Sequence, residues 1–215
     1  MLLAEALLLL VLDEDKGTAT WITAADQGLA GALLLDLDVR EEDGRLVPGG
    51  ARPSEPALAA AWDVISGEQR AARHWVSKLP GRLKPIQGTI AAALVERGVL
   101  DEQRHRTLGV FKSVRYPELD PAPEQELRAR LRRVLVEGAE PDAFDASLLG
   151  LLVPLDLVKR VVGKDERKAA KARAKEIARR GPVGDAVKAA VQEQVMAAVI
   201  AATTAATVAS TSGSS

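Results

Sequence analysis

Cations set beside a helix start carry the clearest chemical meaning in this chain. Arg82-Leu83-Lys84 follows Pro80-Gly81 and lies just before a helix predicted to begin near Pro85. Backbone N–H groups at a helix N-terminus lack partners and the helix dipole is positive there. Such a start with an adjoining cation is a ready anion site. The same spacing also describes a solvated basic turn. A second set lies within 104–119, where Phe111, Val114 and Tyr116 stand beside Lys112 and Arg115. That mixture suits a surface meeting a bilayer interface, nucleic acid or a partner subunit.

Catalytic groupings are missing. The chain has no cysteine, so it offers no disulfide, thiolate ligand or thiol nucleophile. Its two histidines, His74 and His105, fall on different predicted elements, and no metal or cofactor is expected. Gly28-Leu29-Ala30-Gly31 is too short for a dinucleotide fingerprint and no βαβ pattern surrounds it. Asp36 with Asp38, and Glu41 with Glu42, read as solvated charge. The chain reads as a binding protein and not as an enzyme.

The elements that must position these residues are mostly helical. Aromatics are only 3% of 215 residues, while alanine, leucine, arginine and glutamate, all strong helix formers, dominate. The run from Trp21 to Val39 has no ionisable side chain between Gln27 and Leu35, so it reads as a buried core helix with Trp21 packing at its mouth. Asp26, Asp36 and Asp38 cut it short of the roughly 20 apolar residues a membrane span needs. Leu2–Leu12 reads as a second buried helix with Glu5 on its wet side. Asp13–Gly17 reads as a turn and Thr18–Trp21 as a short extended piece. Met1–Leu12 lacks the basic start and cleavage site of a signal peptide. A loop or short hairpin is expected over 40–56.

Further helices are predicted at 57–65 with Ser54 as cap, at 68–79 ended by Pro80-Gly81, and at 85–97 stopped by Gly98. A β-hairpin turning near Lys112-Ser113 or just beyond precedes an amphipathic helix from Pro121, with Glu124, Arg128 and Arg132 off its apolar face. Asp142 or Asp145 caps an apolar helix over 148–153. Then come a charged helix over 164–180, a break at Gly181-Pro182 and a last helix capped by Asp185. The expected fold is mainly α: one helical domain over 1–202 with a buried apolar core helix and one protruding β-hairpin, followed by a flexible small-residue tail over 203–215.

The net charge of −1 conceals alternating blocks: −9 over 1–68, +7 over 69–115, −5 over 116–158 and +7 over 159–180. Two basic blocks separated by acidic ones either neutralise one another in the fold or polarise the surface toward an anionic partner.

Read in order, several of these segments resemble the Golgi phosphoprotein 3 family over about residues 3–202. They are Glu5 followed by Leu7–Leu10, the Asp13–Gly17 turn, Trp21, and Gly28-Leu29-Ala30-Gly31-Ala32-Leu33-Leu34. Leu94-Val95-Glu96-Arg97-Gly98-Val99-Leu100, the Phe111-containing hairpin with Pro117, and the apolar stretch from Leu148 to Leu157 follow. The resemblance implies a mostly helical domain with a protruding hairpin used in self-association and membrane contact. It also implies binding of phosphatidylinositol 4-phosphate and of the cytosolic tails of membrane proteins. The family's headgroup site uses one tryptophan, which falls on Trp21, and three arginines, which fall on Ala30, Lys84 and Gln87.

The resulting expectation is a cytoplasmic, peripherally membrane-associated protein that binds anionic phospholipid or phosphoinositide headgroups. Trp21, Arg82, Lys84 and Gln87 would take the headgroup. Phe111, Lys112, Val114, Arg115 and Tyr116 of the hairpin would touch the membrane or another copy. An interaction scaffold without lipid affinity is the alternative. A nucleic-acid module is less favoured: helices at 57–66 and 85–97 followed by the hairpin give a winged-helix order, but no base-reading stripe accompanies it.

Overall fold

The computed structural model describes residues 1–13, 17–18, 24–107, 111–180, 186–194 and 197. Trp21, the 108–110 connection, Gly181-Pro182, Asp185 and the tail from 198 lie outside these residues, as do the readings made for them.

The fold is mainly α, and it is built around its first two helices. All nine residues of α1 (Leu3–Val11) are buried. It packs on α2 (Ala25–Asp36), and these two are enclosed by α3 (Pro56–Ser66), α4 (Ala72–Arg82), α5 (Ile86–Glu96), α6 (Ala122–Leu135) and α7 (Ala143–Leu152). Leu7, Leu8, Leu10, Leu29, Leu33 and Leu34 are wholly buried there. Each such side chain contributes about 1.5–3 kcal/mol by leaving water. The core helix expected from Trp21 begins instead at Ala25, after Ala24 in left-handed backbone at φ 62°.

A helix buried end to end cannot leave its terminal N–H and C=O groups to water. Charged side chains from distant parts of the chain meet those of α1. The Asp36 carboxylate accepts from Leu3 N and Ala4 N, each at 2.9 Å. Glu5 accepts from Leu2 N at 3.0 Å and pairs with Arg97 at 2.8 Å. At the other end Arg160 donates to the carbonyls of Leu10 and Leu12, both at 2.8 Å. An acid at the N-terminus and a base at the C-terminus also oppose the helix dipole. Two expectations are corrected here. Glu5 is buried, and Asp36 is a capping group with its pKa pushed up to about 6 by burial.

The Gly28 and Gly31 spacing in α2 serves close packing. A Cβ at Gly31 would lie 2.4 Å from Val191 of the helical segment 186–194, and one at Gly28 would lie 2.6 Å from Leu155. Around this centre, α8 (Val158–Val161) follows α7, and α9 (Arg167–Arg180) follows a 3-10 turn at Lys164–Glu166. As its sequence predicts, α9 buries Ala170, Ala174 and Ile177, and it packs on α7.

Other boundaries shift for identifiable reasons. Glu55, not Ser54, caps α3 by accepting from Leu58 N at 2.7 Å. The helix expected from residue 68 starts at Ala72 because Leu46 N donates to Arg70 O at 2.8 Å, holding that stretch extended. It then runs through Pro80-Gly81 to Arg82. Leu46 belongs to a short hairpin, β1 (Arg40–Glu42) with β2 (Arg45–Val47). Asp142 caps α7 and Asp145 closes its capping box, so that helix begins at Ala143. Glu124 is buried, not solvent-facing, and pairs with Arg128, which also reaches the carbonyl of Arg160.

The second hairpin is β3 (Gln103–Thr107) with β4 (Phe111–Arg115), in register Gln103 to Arg115 and Thr107 to Phe111. Lys112 and Ser113 therefore sit within a strand opposite Arg106 and His105, and not at the turn. Asp101 N donates to Pro117 O at 2.9 Å and Leu119 N to Val99 O at 2.9 Å, fastening the hairpin's base to the end of α5.

Candidate functional site

The start of α5 is the predicted anion site, and the structure leaves it open. Pro85 is the N-cap residue and makes no capping bond, and among the described residues no side chain is seen to accept from the first turn. The first intrahelical bond runs from Thr89 N to Pro85 O at 3.0 Å. The N–H groups of Ile86, Gln87 and Gly88 thus lie ahead of the helical ladder, where partial positive charge collects. Lys84, immediately before Pro85, is exposed.

The four predicted headgroup residues are placed differently. Lys84 and Gln87 flank the α5 start. Arg82 is the last residue of α4, and its guanidinium lies 3.5 Å from Glu68. Trp21 falls outside the described residues. Gln87 donates its amide to Asp26 Oδ1 at 2.8 Å. Asp26 sits in the first turn of α2, whose own start also has no side-chain cap. Two helix N-termini are therefore tied together with one carboxylate between them. Ala30, one turn further along α2, is wholly buried. Sequence reasoning missed Asp26 as a site residue because its partner is 61 positions away, and it took Asp26 only as a charge interrupting an apolar run.

Across from this start stands the hairpin. A groove of about 750 Å³ separates Pro85, Gly88 and Thr89 from Arg104, His105 and Val114. Val114 is 38% exposed and Arg115 is also exposed. For Phe111 and Lys112 the structure fixes strand position only. Tyr116 differs from these. It lies just past β4 and is buried, so it is not part of the hairpin's outer surface. Burial pushes its hydroxyl pKa above the usual range. Tyr116 is held between two glycines. A Cβ at Gly88 would lie 2.7 Å from its Oη, and one at Gly17 would lie 2.4 Å from its carbonyl carbon. Gly17 has φ +59°, and its carbonyl accepts from Tyr116 N at 2.8 Å. Glycine is required there twice over.

An open helix start beside a lysine is an arrangement that can hold an anion. His74 packs edge-on against Trp75 with ring centres 5.1 Å apart, while His105 lies on the hairpin. No group of three metal-binding side chains occurs among the described residues. No helix among them is long and apolar enough to cross a membrane.

A search of curated proteins returned no match. A family model described as Golgi phosphoprotein 3 matches residues 3–194. The chain belongs to that family.

Proposed function

From that membership, we propose that this protein is a peripheral membrane-associated binding protein, not an enzyme, that takes anionic lipid headgroups at the α5 start. The observation that carries this reading is the α5 N-terminus, uncapped among the described residues and preceded by exposed Lys84, opening on a groove lined by Arg104, which Glu102 answers at 2.6 Å, in a hairpin whose strands also carry Arg106, Lys112 and Arg115. Phosphate oxygens would accept from the N–H groups of the first turn of α5 while the cations supply longer-range attraction.

Selectivity for phosphatidylinositol 4-phosphate is not what these residues favour. Of the three arginine positions implied by the resemblance, one holds a buried methyl, one an amide engaged by Asp26, and one a lysine. Lysine cannot give the bidentate fork that arginine gives a phosphate. Generic anionic binding fits better, with Trp21 at the headgroup and the hairpin, Phe111 included, as the place of membrane contact or self-association that the resemblance implies. The nucleic-acid reading loses support because α5, the would-be recognition helix, contains no Lys or Arg.

Liposome flotation tests the proposal. Neutral phosphatidylcholine vesicles should retain little protein. Vesicles with phosphatidylserine or phosphatidylinositol 4-phosphate at equal charge should retain similar amounts, less as salt rises. Lys84→Glu with Arg115→Glu should abolish retention without unfolding the protein. Equal, negligible retention on neutral and anionic vesicles would reject it. The scaffold reading has an observation of its own: a separate groove of about 710 Å³ lined by Leu94, Val99, Pro123, Leu127 and Phe144. Capture of membrane-protein tail peptides by protein that ignores every vesicle would favour that reading.

A further inference from the structure

A second basic cleft has no residue in common with the α5 groove. It encloses about 550 Å³ between the end of α7, one face of α9 and the helical segment 186–194. Lys171, Lys175, Arg179 and Lys188 line it together with the amide of Gln192, and no carboxylate is among its lining residues. Lys175 and Arg179 are exposed.

Lys188 is the unusual member. Its Nζ is shut off from solvent and has no hydrogen-bond partner among the described residues. An ammonium group carries three donors and no acceptor, and shielding it unpaired from water is costly. The backbone is shaped to let it lie there. A Cβ at Gly150 would come within 3.0 Å of Lys188 Cδ and Cε, so the glycine leaves a track for the lysine stem across α7. Asp156 answers one lining cation, Lys171, at 2.8 Å, and its other oxygen is taken by Lys159 at 2.8 Å, so neither is left for Lys188.

We infer that this cleft is an anion site for a phosphate group, either free or on a lipid. A monoanion would answer one of these cations. A phosphate presents several acceptor oxygens and up to two charges to Lys175, Arg179 and Gln192 at the cleft surface, and to Lys188 once its Nζ turns out of its sealed position to meet them. Charge-assisted bonds of this kind are the strong ones.

The experiment uses the full chain and two sources of phosphate. Calorimetric titration with inorganic phosphate and pyrophosphate reads the free form. Flotation on phosphatidylcholine vesicles containing phosphatidic acid reads the lipid form. Binding in either arm, weakened at least about tenfold by Lys188→Met, is expected from the loss of one charge-assisted bond. The methionine stem keeps the packing, so the variant should melt no lower than wild type without phosphate. Lys84→Glu with Arg115→Glu should leave soluble phosphate binding intact, which separates failure of the headgroup site from failure of this one. Should Lys188→Met fail to fold, Lys175→Gln with Arg179→Gln, both on the surface, carries the same expectation. No binding in either arm overturns the inference, as does binding indifferent to a folded variant.

Discussion

The N-terminus of α1 and the N-terminus of α5 present the same unpaired backbone groups and are treated in opposite ways. At α1, Asp36 and Glu5 supply carboxylate oxygens to three consecutive N–H groups, those of Leu2, Leu3 and Ala4. At α5 no side chain among the described residues does so, and the neighbouring carboxylate, Asp26, is turned to Gln87 instead. The difference follows from burial. A helix end sealed in the core must be satisfied by protein, because water cannot reach it. A helix end at a groove can be left for water or a ligand. A charged residue near a helix start is therefore structural or functional according to whether it completes the start or leaves it open.

Breaking the sealed helix should cost most. Arg160→Met strands the carbonyls of Leu10 and Leu12 and should lower stability by about 3 kcal/mol. That corresponds to a melting point lower by about 9 °C for a chain of this size, measured by urea and thermal unfolding. Vesicle binding by the remaining folded protein should be unchanged.

Next in size is a pH effect at the other end of α1. The Asp36 pKa is raised in the folded protein to about 6 from 3.8. A raised carboxyl pKa means the folded state binds the proton more tightly, so stability is fully present below pH 3.8 and is lost as pH rises through 6. The advantage of wild type over Asp36→Asn should shrink by up to about 3 kcal/mol between pH 4 and pH 7. Urea midpoints of the two proteins across that range check it. A constant difference would mean that Asp36 does not titrate as this environment requires.

A smaller loss is expected on the face of α2 that packs on Val191. Gly31→Ala forces a Cβ into the space of that side chain and should cost about 2 kcal/mol, with no change in flotation. The smallest effect on stability sharpens the open end. Asp26→Asn keeps an acceptor for Gln87 and removes the negative charge between the two helix starts. Stability should move by less than about 0.5 kcal/mol. Affinity for anionic vesicles should rise by a few fold, on the order of 0.5 kcal/mol for removing one nearby repulsive charge in a watery setting. Unchanged affinity would place the bound anion elsewhere.

Much of this was legible from residue order. The two apolar runs became the two central helices, the alanine face of α9 was buried, and Lys84 was found beside an open helix start. The misplacements share one cause. Asp36 and Glu5 look like surface charge in a one-dimensional pattern, and only a partner far along the chain makes burial tolerable; Glu124 has its partner one turn away in Arg128, which is itself anchored to the distant carbonyl of Arg160. Asp36 meets α1 across 33 positions, and Gln87 meets Asp26 across 61. The start of α4 moved for the same reason, since Leu46 of a distant hairpin held Arg70 extended. Tyr116 had the right composition for a contact surface, but the backbone of Gly17 and the gap at Gly88 drew it inward.

The arginine that closes α1 has a consequence in time. Arg160 lies 150 residues after Leu10 and 148 after Leu12. A ribosome making this protein releases this apolar helix about 150 residues before its terminal cap. Contacts this far apart in sequence carry the largest loop-closure cost and form slowly. Until residue 160 has emerged, α1 is an oily segment with unanswered carbonyls, and the nascent chain depends on its cellular surroundings to keep that segment from other hydrophobic surfaces.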